Sequence, residues 1–216
     1  MKSEIALARL CQGRLVVVAR RLPAEHIFPV AETLIDAGVA ALEITVNDDP
    51  SAVETIAQLR ERFGEQLLIG AGTVLSPEDA EGSLAAGAHF VVSPVLVSSV
   101  LTVCSQADAL YFPGAIAPTH IFEALTAGVR GVKLFPASLI TPAYVHDVLQ
   151  PFRAFNPVFM LTGGLDNQQI PEYLAAGISI VGVGGAILDA EALSSRRYEQ
   201  IGDQARSILH TIQEAG

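Results

Sequence analysis

The amino-acid sequence predicts an α/β protein, a single (β/α)8 TIM barrel that occupies residues 1–216 and includes an N-terminal helix. Three observations lead to this fold class. Short apolar runs rich in Val, Ile and Leu alternate with helical segments along the whole chain, as in folds with a parallel sheet. An Ala-Gly pair recurs ahead of several of these runs, and a length of 216 residues suits one barrel domain.

The apolar runs give eight strands with helices between them. Several runs lack polar alternation, which is typical of parallel strands buried on both faces. The predicted strands are Leu15–Ala19, Ala41–Val46, Leu67–Gly70, His89–Ser93, Ala109–Pro113, Gly131–Phe135, Val158–Thr162 and Ile178–Gly182. Helical spacing of apolar residues predicts helices at Ala24–Ala37, Ser51–Phe63, Pro77–Ala86 and Thr141–Phe152, and a closing helix at about Arg196–Glu214.

The recurring Ala-Gly pair supports the count of β/α units. A glycine after the last helical turn commonly takes the left-handed conformation that ends a helix, so each pair marks a helix end that leads into a strand. The pairs are Ala37-Gly38, Ala86-Gly87, Ala127-Gly128 and Ala176-Gly177. The alternative is an open, doubly wound sheet, which favours a glycine-rich turn after the first strand. No glycine occurs in Leu22–Glu25, so the barrel is favoured.

Composition excludes several functional classes. The formal net charge of −10 disfavours binding to nucleic acid or to an anionic membrane surface, since both need clustered Lys and Arg. No apolar run reaches the roughly 18 residues of a membrane span, and the N-terminus lacks a signal-peptide core, so we expect a cytoplasmic protein. The two cysteines, Cys11 and Cys104, have no metal-like spacing, and we expect free thiols.

Two charged residues lie inside strands that are otherwise apolar, as expected for a barrel interior that excludes water. In such barrels the active site lies at the C-terminal ends of the strands. Lys133 is set in Gly131–Phe135, where loss of solvent would favour the neutral amine that a Schiff base requires. Glu43 is set in the second strand and could transfer protons there. A structural salt bridge between these two residues is the alternative at this point.

Other residues at the strand ends could bind an anionic substrate. Arg20 follows the first strand and has the geometry to grip a carboxylate, whereas Arg21 beside it is expected to face elsewhere. The pairs Gly163-Gly164 and Gly184-Gly185 follow the last two strands, where barrel enzymes often bind phosphate through backbone N–H groups. The five histidines show no metal-ligand spacing, so no metal and no cofactor is expected.

Several of these segments together resemble the 2-keto-3-deoxy-6-phosphogluconate aldolase family, whose relatives act on 4-hydroxy-2-oxoglutarate and 2-keto-3-deoxy-6-phosphogalactonate. The resemblance runs from about Leu15 to Leu188. Its motifs are LEITVN (Leu42–Asn47), IGAGTVLSPED (Ile69–Asp79), VSP (Val92–Pro94), FPG (Phe112–Gly114), VKLFPAS (Val132–Ser138) and LTGG (Leu161–Gly164).

The resemblance implies a role for each matching residue. Lys133 corresponds to the Schiff-base lysine and Glu43 to the general acid/base. Thr73 would hold the pyruvyl carboxylate, Phe135 would flank the pocket, and Thr162 would influence the face on which the aldehyde is attacked. Pro94, Asn47, Arg20 and the two glycine pairs complete the implied substrate-binding set. A small keto acid as substrate and a homotrimeric assembly are also implied by the resemblance.

Two departures from the family pattern bear on the substrate. Gluconate-type relatives carry an arginine four residues after the glutamate, whereas this chain has Asn47 there. Galactonate-type relatives have asparagine at that position and an arginine after the first strand, where this chain has Arg20. After Gly184-Gly185, relatives tend to have a serine that could contact phosphate, and this chain has Ala186. The substrate is therefore either a 2-keto-3-deoxy-6-phospho-sugar acid or an unphosphorylated keto acid.

The sequence thus predicts a class I aldolase, a carbon–carbon lyase that reversibly cleaves a 4-hydroxy-2-keto acid to pyruvate and an aldehyde. Two alternatives stay open. One is a barrel isomerase, epimerase or synthase that acts on a sugar phosphate with Lys133 as general base. The other is a catalytically silent barrel that only binds a ligand.

Overall fold

The computed structural model, which describes residues 2–47, 49–165 and 167–215, is a closed barrel of parallel strands. The strands pair in the order β5-β4-β3-β2-β1-β9-β8-β7-β6, and every pairing is parallel. Their bounds are β1 Leu15–Ala19, β2 Ala41–Thr45, β3 Leu68–Gly72, β4 Phe90–Val92, β5 Leu110–Phe112, β6 Gly114–Ala115, β7 Gly131–Leu134, β8 Val158–Thr162 and β9 Ile180–Val183.

The two end members of this order, β5 and β6, together form one strand position of the barrel: β5 lies within the predicted strand Ala109–Pro113, and β6 follows directly after it. Pro113 separates them, because proline has no backbone N–H to give to a neighbouring strand. Its carbonyl still accepts a hydrogen bond from the Lys133 N–H at 2.9 Å, so the ladder to β7 continues past the break. The barrel therefore has eight strand positions, and the predicted fold class is confirmed. An open, doubly wound sheet is excluded.

Helices cover the outside of the barrel at nearly every connection. They are α1 Ser3–Gly13, α2 Ala24–Asp36, α3 Ala52–Phe63, α4 Pro77–Ala85, α5 Ser98–Gln106, α6 Pro118–Thr126, α7 Pro142–Leu149, α8 Ile170–Ala176, α9 Ala190–Ser194 and α10 Tyr198–Glu214. The predicted helices are confirmed within a residue or two at most ends. The exception is Thr141–Phe152, whose α-helix ends at Leu149 and continues as a 3-10 helix over Gln150–Phe155. Pro151 cannot donate the next α-helical hydrogen bond.

Alternate strand residues form two separate apolar layers. One layer packs beneath the surrounding helices and contains residues such as Val17, Leu42 and Val132. The other fills the barrel interior and includes Val16, Ala41, Phe90, Phe112, Met160 and Ile180. Three residues of α1 (Ala6, Leu7 and Leu10) belong to this interior layer, so α1 closes the N-terminal end of the barrel. Polar side chains that point inward must therefore lie nearer the C-terminal end.

The Ala-Gly pairs end helices as the sequence predicts. The four glycines Gly38, Gly87, Gly128 and Gly177 all have φ between 89° and 117°, in the left-handed region that favours glycine. Both cysteines are free thiols, and burial raises the pKa of Cys104 to about 12. Within residues 2–47, 49–165 and 167–215, no helix is long and apolar enough to cross a membrane.

Candidate active site

A cavity of about 610 Å³ opens at the C-terminal end of the barrel, over β1, β2, β7, β8 and β9. It holds most of the residues that the sequence singles out: Arg20, Glu43, Lys133, Phe135, Thr162, Gly163, Gly164, Gly184 and Gly185. A larger cavity of about 730 Å³ lies at the opposite end between α1, α2 and α10. The described residues that line that larger cavity include no lysine and no carboxylate, so the smaller cavity is the candidate site.

Glu43 points into the barrel from β2, between Val18 on β1 and Gly70 on β3. Its side chain is almost completely buried, at 1 % exposure, and its Oε2 atom has no hydrogen-bond partner in the described part of the chain. Burial raises the pKa of Glu43, while the positive charges of Lys133 and Arg20 oppose that rise. A buried carboxylate oxygen without a partner is costly, which indicates a site for substrate or water.

Lys133 points into the same space from β7, between Gly114 on β6 and Met160 on β8. It is 6 % exposed, and burial lowers its pKa. The charge of Glu43 opposes that shift and the charge of Arg20 adds to it. The Lys133 Nζ atom lies 5.0 Å from the centre of the Phe135 ring. Desolvation thus favours the neutral, nucleophilic amine.

Arg20 and Arg21 both line the cavity. Arg21 follows β1 with φ at 52°, in the left-handed region. It also borders a second, smaller cavity on the outer side of β1, together with Ala19, Ile27 and Ile44, which agrees with the expectation that it faces elsewhere than Arg20. Arg20 is exposed at the mouth of the cavity, and its charge opposes the rise in the pKa of Glu43 and adds to the fall in the pKa of Lys133.

Thr162 and the first glycine pair form the wall next to Lys133. Thr162 ends β8 and is 5 % exposed. Gly182 on β9 leaves room for it, since a Cβ at Gly182 would lie 2.9 Å from the Thr162 Cβ. Gly163 and Gly164 both have positive φ, at 93° and 75°, and a Cβ at Gly163 would lie 2.8 Å from the Phe135 ring. Side chains here would close the cavity.

The second glycine pair begins a tight turn after β9. The N–H groups of Ile187 and Leu188 both donate to the Gly184 carbonyl at 2.9 Å. The helix that follows, α9, is capped by the Asp189 carboxylate, which accepts from the Ala192 N–H at 2.9 Å. The N-terminus of α9 is therefore capped by a carboxylate of the protein itself. The phosphate-binding role expected of the two glycine pairs remains a prediction.

Three predicted site residues are not among those lining this cavity. Asn47, Thr73 and Pro94 follow β2, β3 and β4, on the neighbouring side of the barrel mouth. Asn47 is exposed, and Thr73 and Pro94 are partly buried. Thr73 has φ at 58°, which is unusual for a β-branched residue. The roles expected for these three residues remain predictions.

The cavity also has apolar lining that sequence reasoning missed. It consists of Val18, Leu22, Leu165, Leu188 and Leu193. Most of these residues lie in loops, where the period-two pattern of a strand gives no information about direction. Among the described residues, no cluster of three or more His, Cys, Asp or Glu side chains is arranged to hold a metal ion.

Comparison with known proteins finds aldolases that match nearly the whole chain. The family described as "Aldolase: KDPG and KHG aldolase" matches residues 7–204. The chain is 28 % identical to "2-dehydro-3-deoxy-6-phosphogalactonate aldolase" of Escherichia coli, over 93 % of this chain and 95 % of the relative. It is 31 % identical to "2-dehydro-3-deoxy-phosphogluconate aldolase" of Treponema pallidum, over 92 % and 93 %.

A solved structure of similar fold shows a covalent step in a relative. It is a KDPG aldolase from Legionella pneumophila "with pyruvate captured at low pH as a covalent carbinolamine intermediate". It matches with a TM-score of 0.81 and 27 % identity, over 94 % of this chain and 97 % of that one. The fold, the motifs and the family match over most of the chain agree, and this protein belongs to the KDPG and KHG aldolase family.

Proposed function

We propose that this protein is a class I aldolase that reversibly cleaves a 4-hydroxy-2-keto acid to pyruvate and an aldehyde. One observation carries the proposal: a desolvated lysine, Lys133, and a buried carboxylate without a partner, Glu43, face the same cavity at the catalytic end of the barrel. The carbinolamine that the Legionella pneumophila relative forms with pyruvate is the chemistry that such a lysine supports.

In the cleavage direction Lys133 Nζ attacks the C2 ketone and forms a carbinolamine. Loss of water then gives a protonated imine, with protons moved by Glu43. The imine withdraws electrons as the C3–C4 bond breaks, and Glu43 takes the proton from the C4 hydroxyl as the aldehyde leaves. Glu43 returns a proton to the C3 carbon of the enamine, and water hydrolyses the imine to release pyruvate. Burial raises the pKa of Glu43 above its ordinary value, which favours a carboxyl group that can both accept and return a proton.

Arg20 is the residue that we assign to the substrate carboxylate. Arg20 lines the same cavity as Glu43 and Lys133, and a guanidinium can form two parallel hydrogen bonds to a carboxylate. Thr162, Phe135 and the glycines would position the remainder of the substrate. Thr73, Pro94 and Asn47, on the neighbouring side of the mouth, would complete the site around the pyruvyl group.

Borohydride reduction in the presence of pyruvate tests the proposal. Only an imine becomes a stable covalent adduct, so intact-protein and peptide mass spectrometry should find reduced pyruvate on Lys133. An isomerase or epimerase that uses Lys133 as a base would give no adduct. A silent ligand-binding barrel would in addition leave the methyl protons of pyruvate unexchanged in deuterium oxide. Either result would contradict the aldolase assignment.

We also propose that the protein is a cytoplasmic homotrimer. Phe122, Leu139, Tyr144 and Phe155 are exposed apolar or aromatic side chains on neighbouring segments around α6 and α7. Phe122 and Phe155 also pack edge to face, with ring centres 6.5 Å apart. Exposed apolar patches of this kind mark interaction surfaces. Light scattering during size-exclusion chromatography should give a trimer mass, and Leu139→Asp should lower it.

A further inference from the structure

The larger cavity, at the end of the barrel opposite the candidate active site, is lined by a cluster of cationic side chains. Its volume is about 730 Å³, and it lies between α1, α2 and α10. Three of the 13 Lys and Arg residues in a chain of net charge −10 line it, together with a histidine: Arg9, Arg14, Arg206 and His210. No Asp or Glu is among the residues that line it, all of which lie in the described part of the chain. The cavity therefore favours a negatively charged ligand.

The cations reach the cavity from two separate elements. Arg9 belongs to α1, and Arg14 is the residue that caps the C-terminal end of that helix. Arg206 and His210 lie four residues apart on α10, so they share one face of it. The backbone N–H groups of Arg14 and Gly38 at this cavity are already bonded to protein carbonyls. A ligand would therefore be recognised by side chains from both helices.

Three of the four groups have a carboxylate partner outside the cavity. The pairs are Arg9–Glu65 at 3.5 Å, Arg206–Asp203 at 2.6 Å and His210–Glu214 at 3.3 Å. The side chains of these carboxylates are between 61 % and 71 % exposed. Ion pairs so open to solvent contribute little to stability, so a ligand can replace them at small cost. Arg9 also donates to the Glu65 carbonyl at 2.8 Å and is the most firmly held of the three.

Arg14 differs from the other three cations. It is partly buried, and its guanidinium makes no hydrogen bond or ion pair with any other residue that the structure describes. Its φ is 55°, in the left-handed region, at a helix end where glycine is the usual residue. Its carbonyl accepts a hydrogen bond from the Val181 N–H at 2.9 Å, which fixes this backbone to the barrel. Neither the fold nor an ion pair thus accounts for an arginine at this position.

The remaining lining of the cavity suits a carbon skeleton. Ala37, Ala40, Leu209 and Ile212 form an apolar surface between the cations, and Gln12 and Gln213 add neutral amide groups. Pockets that bind small organic molecules commonly combine such a surface with a few polar groups that fix orientation. A single inorganic ion would contact only part of this lining.

We propose that this cavity binds a small organic polyanion, a short carbon skeleton that carries two or more carboxylate or phosphate groups. A guanidinium matches two oxygens of either group through parallel N–H donors, so both kinds of polyanion share the chemistry that this site recognises. The proposal does not depend on the reaction at the other end of the barrel.

Isothermal titration of the whole protein with citrate and with fructose 1,6-bisphosphate tests the proposal. Acetate at the same ionic strength is the monovalent control, because general screening affects all three anions alike. We expect saturable binding of at least one of the two polyanions and much weaker binding of acetate. Binding of citrate alone would identify carboxylates as the recognised groups, and binding of the bisphosphate alone would identify phosphates. Binding of neither polyanion, or equally tight binding of acetate, would overturn the proposal.

Arg14→Gly tests the site directly, and Arg196→Gly is its matched control. Both arginines have positive φ, at 55° and 52°, so each change removes one cation and relieves the same kind of backbone conformation. Arg196 does not line the cavity. Arg14→Gly should weaken polyanion binding by roughly 10- to 150-fold, the factor for a lost charge-assisted contact, without a lower melting temperature. Arg196→Gly should bind like the parent, and equal affinities of the two variants would contradict the proposal.

A third variant shows which end of the barrel the polyanion occupies. Arg20→Ala changes the candidate active site and should leave polyanion affinity unchanged. Arg14→Gly should in turn leave borohydride trapping of pyruvate unchanged. If Arg20→Ala removes polyanion binding and Arg14→Gly does not, the polyanion occupies the candidate active site and the proposal is wrong.

Discussion

The Glu43 carboxylate lies directly against the backbone of Gly72, so closely that a Cβ at Gly72 would stand 2.0 Å from Glu43 Oε1. The two residues lie on adjacent strands, and both positions face the barrel interior. No other residue type at position 72 leaves room for this placement of the carboxylate. The absence of a side chain at Gly72 therefore allows the Glu43 carboxylate, the general acid/base of the proposed reaction, to occupy this position.

We expect Gly72→Ala to displace the carboxylate and lower the aldol rate by about 10²–10⁴-fold, the usual contribution of such a group. Gly70→Ala is the matched control on the same strand, because its Cβ would meet the Phe90 ring at 2.2 Å and not Glu43. The control should lose about 1–3 kcal/mol of stability by overpacking, with kcat largely kept in the folded protein. Equal kcat values for the two variants would show that Gly72 has no special link to Glu43.

Lys133→Met should abolish turnover and the borohydride adduct while the protein stays folded. An apolar side chain suits this buried strand better than an amine whose charged form is disfavoured. The folded-state pKa of Lys133 lies below its ordinary value of 10.5, so the parent protein gains stability as pH rises toward that value. The stability advantage of the Met variant should therefore be largest near neutral pH and shrink toward alkaline pH. Urea unfolding of the parent and of the Met variant across that pH range measures the two stabilities. A borohydride adduct that persists in the variant would exclude Lys133 as the nucleophile.

Glu43→Gln should still bind pyruvate but exchange its methyl protons far more slowly. The amide keeps the shape of the carboxylate and cannot carry the proton. Burial raises the pKa of Glu43 above its ordinary value of 4.5, so the folded parent holds its proton at pH values where the unfolded chain has lost it. The parent therefore loses stability as pH rises from 4.5 through the folded-state pKa, and the Gln variant should lose less. Nuclear magnetic resonance in deuterium oxide follows the exchange, and an unchanged rate would make Glu43 a structural residue.

Arg20→Ala should weaken pyruvate binding by roughly 10- to 150-fold, the cost of losing a charge-assisted contact of about 1.5–3 kcal/mol. Adding Asn47→Arg should recover part of the loss, because gluconate-type relatives carry the arginine at that position. Arg206→Ala, at the opposite end of the barrel, is the control and should bind pyruvate like the parent. Borohydride trapping at varied pyruvate concentrations compares the affinities of the parent and the variants for pyruvate. If Arg20→Ala binds as well as the control, the carboxylate is held elsewhere.

Thr73→Gly should raise KM for pyruvate without lowering the melting temperature. Glycine relieves the positive φ of 58° that a β-branched residue tolerates poorly, and it removes the hydroxyl that the family resemblance assigns to the carboxylate. Thermal unfolding and steady-state kinetics measure the two effects separately. An unchanged KM for pyruvate would mean that the Thr73 hydroxyl group does not bind the substrate and that Thr73 has only a structural role.

Much of the barrel and the centre of the site could be predicted because their signals are local. Lys133 and Glu43 stand out as charges within apolar strands, and strand alternation directs both inward. The sequence could not predict that Arg21 borders the cavity as well as the outer side of β1, because the backbone takes a left-handed angle there after the strand has ended. The packing of Leu188 and Leu193 could not be predicted either, because it depends on contacts between distant parts of the chain.

The position of α1 has a consequence for how the chain folds during synthesis. This helix contacts β1, β5 and β9 and buries Leu7 and Leu10 in the barrel interior. It is made before any strand, yet its binding surface is complete only when β9 has left the ribosome. Until then the apolar residues of α1 can be only partly covered, by β1 and β5, and the unfinished barrel is open at its N-terminal end. The growing chain therefore exposes an apolar segment through much of translation, to which chaperones that recognise such segments could bind.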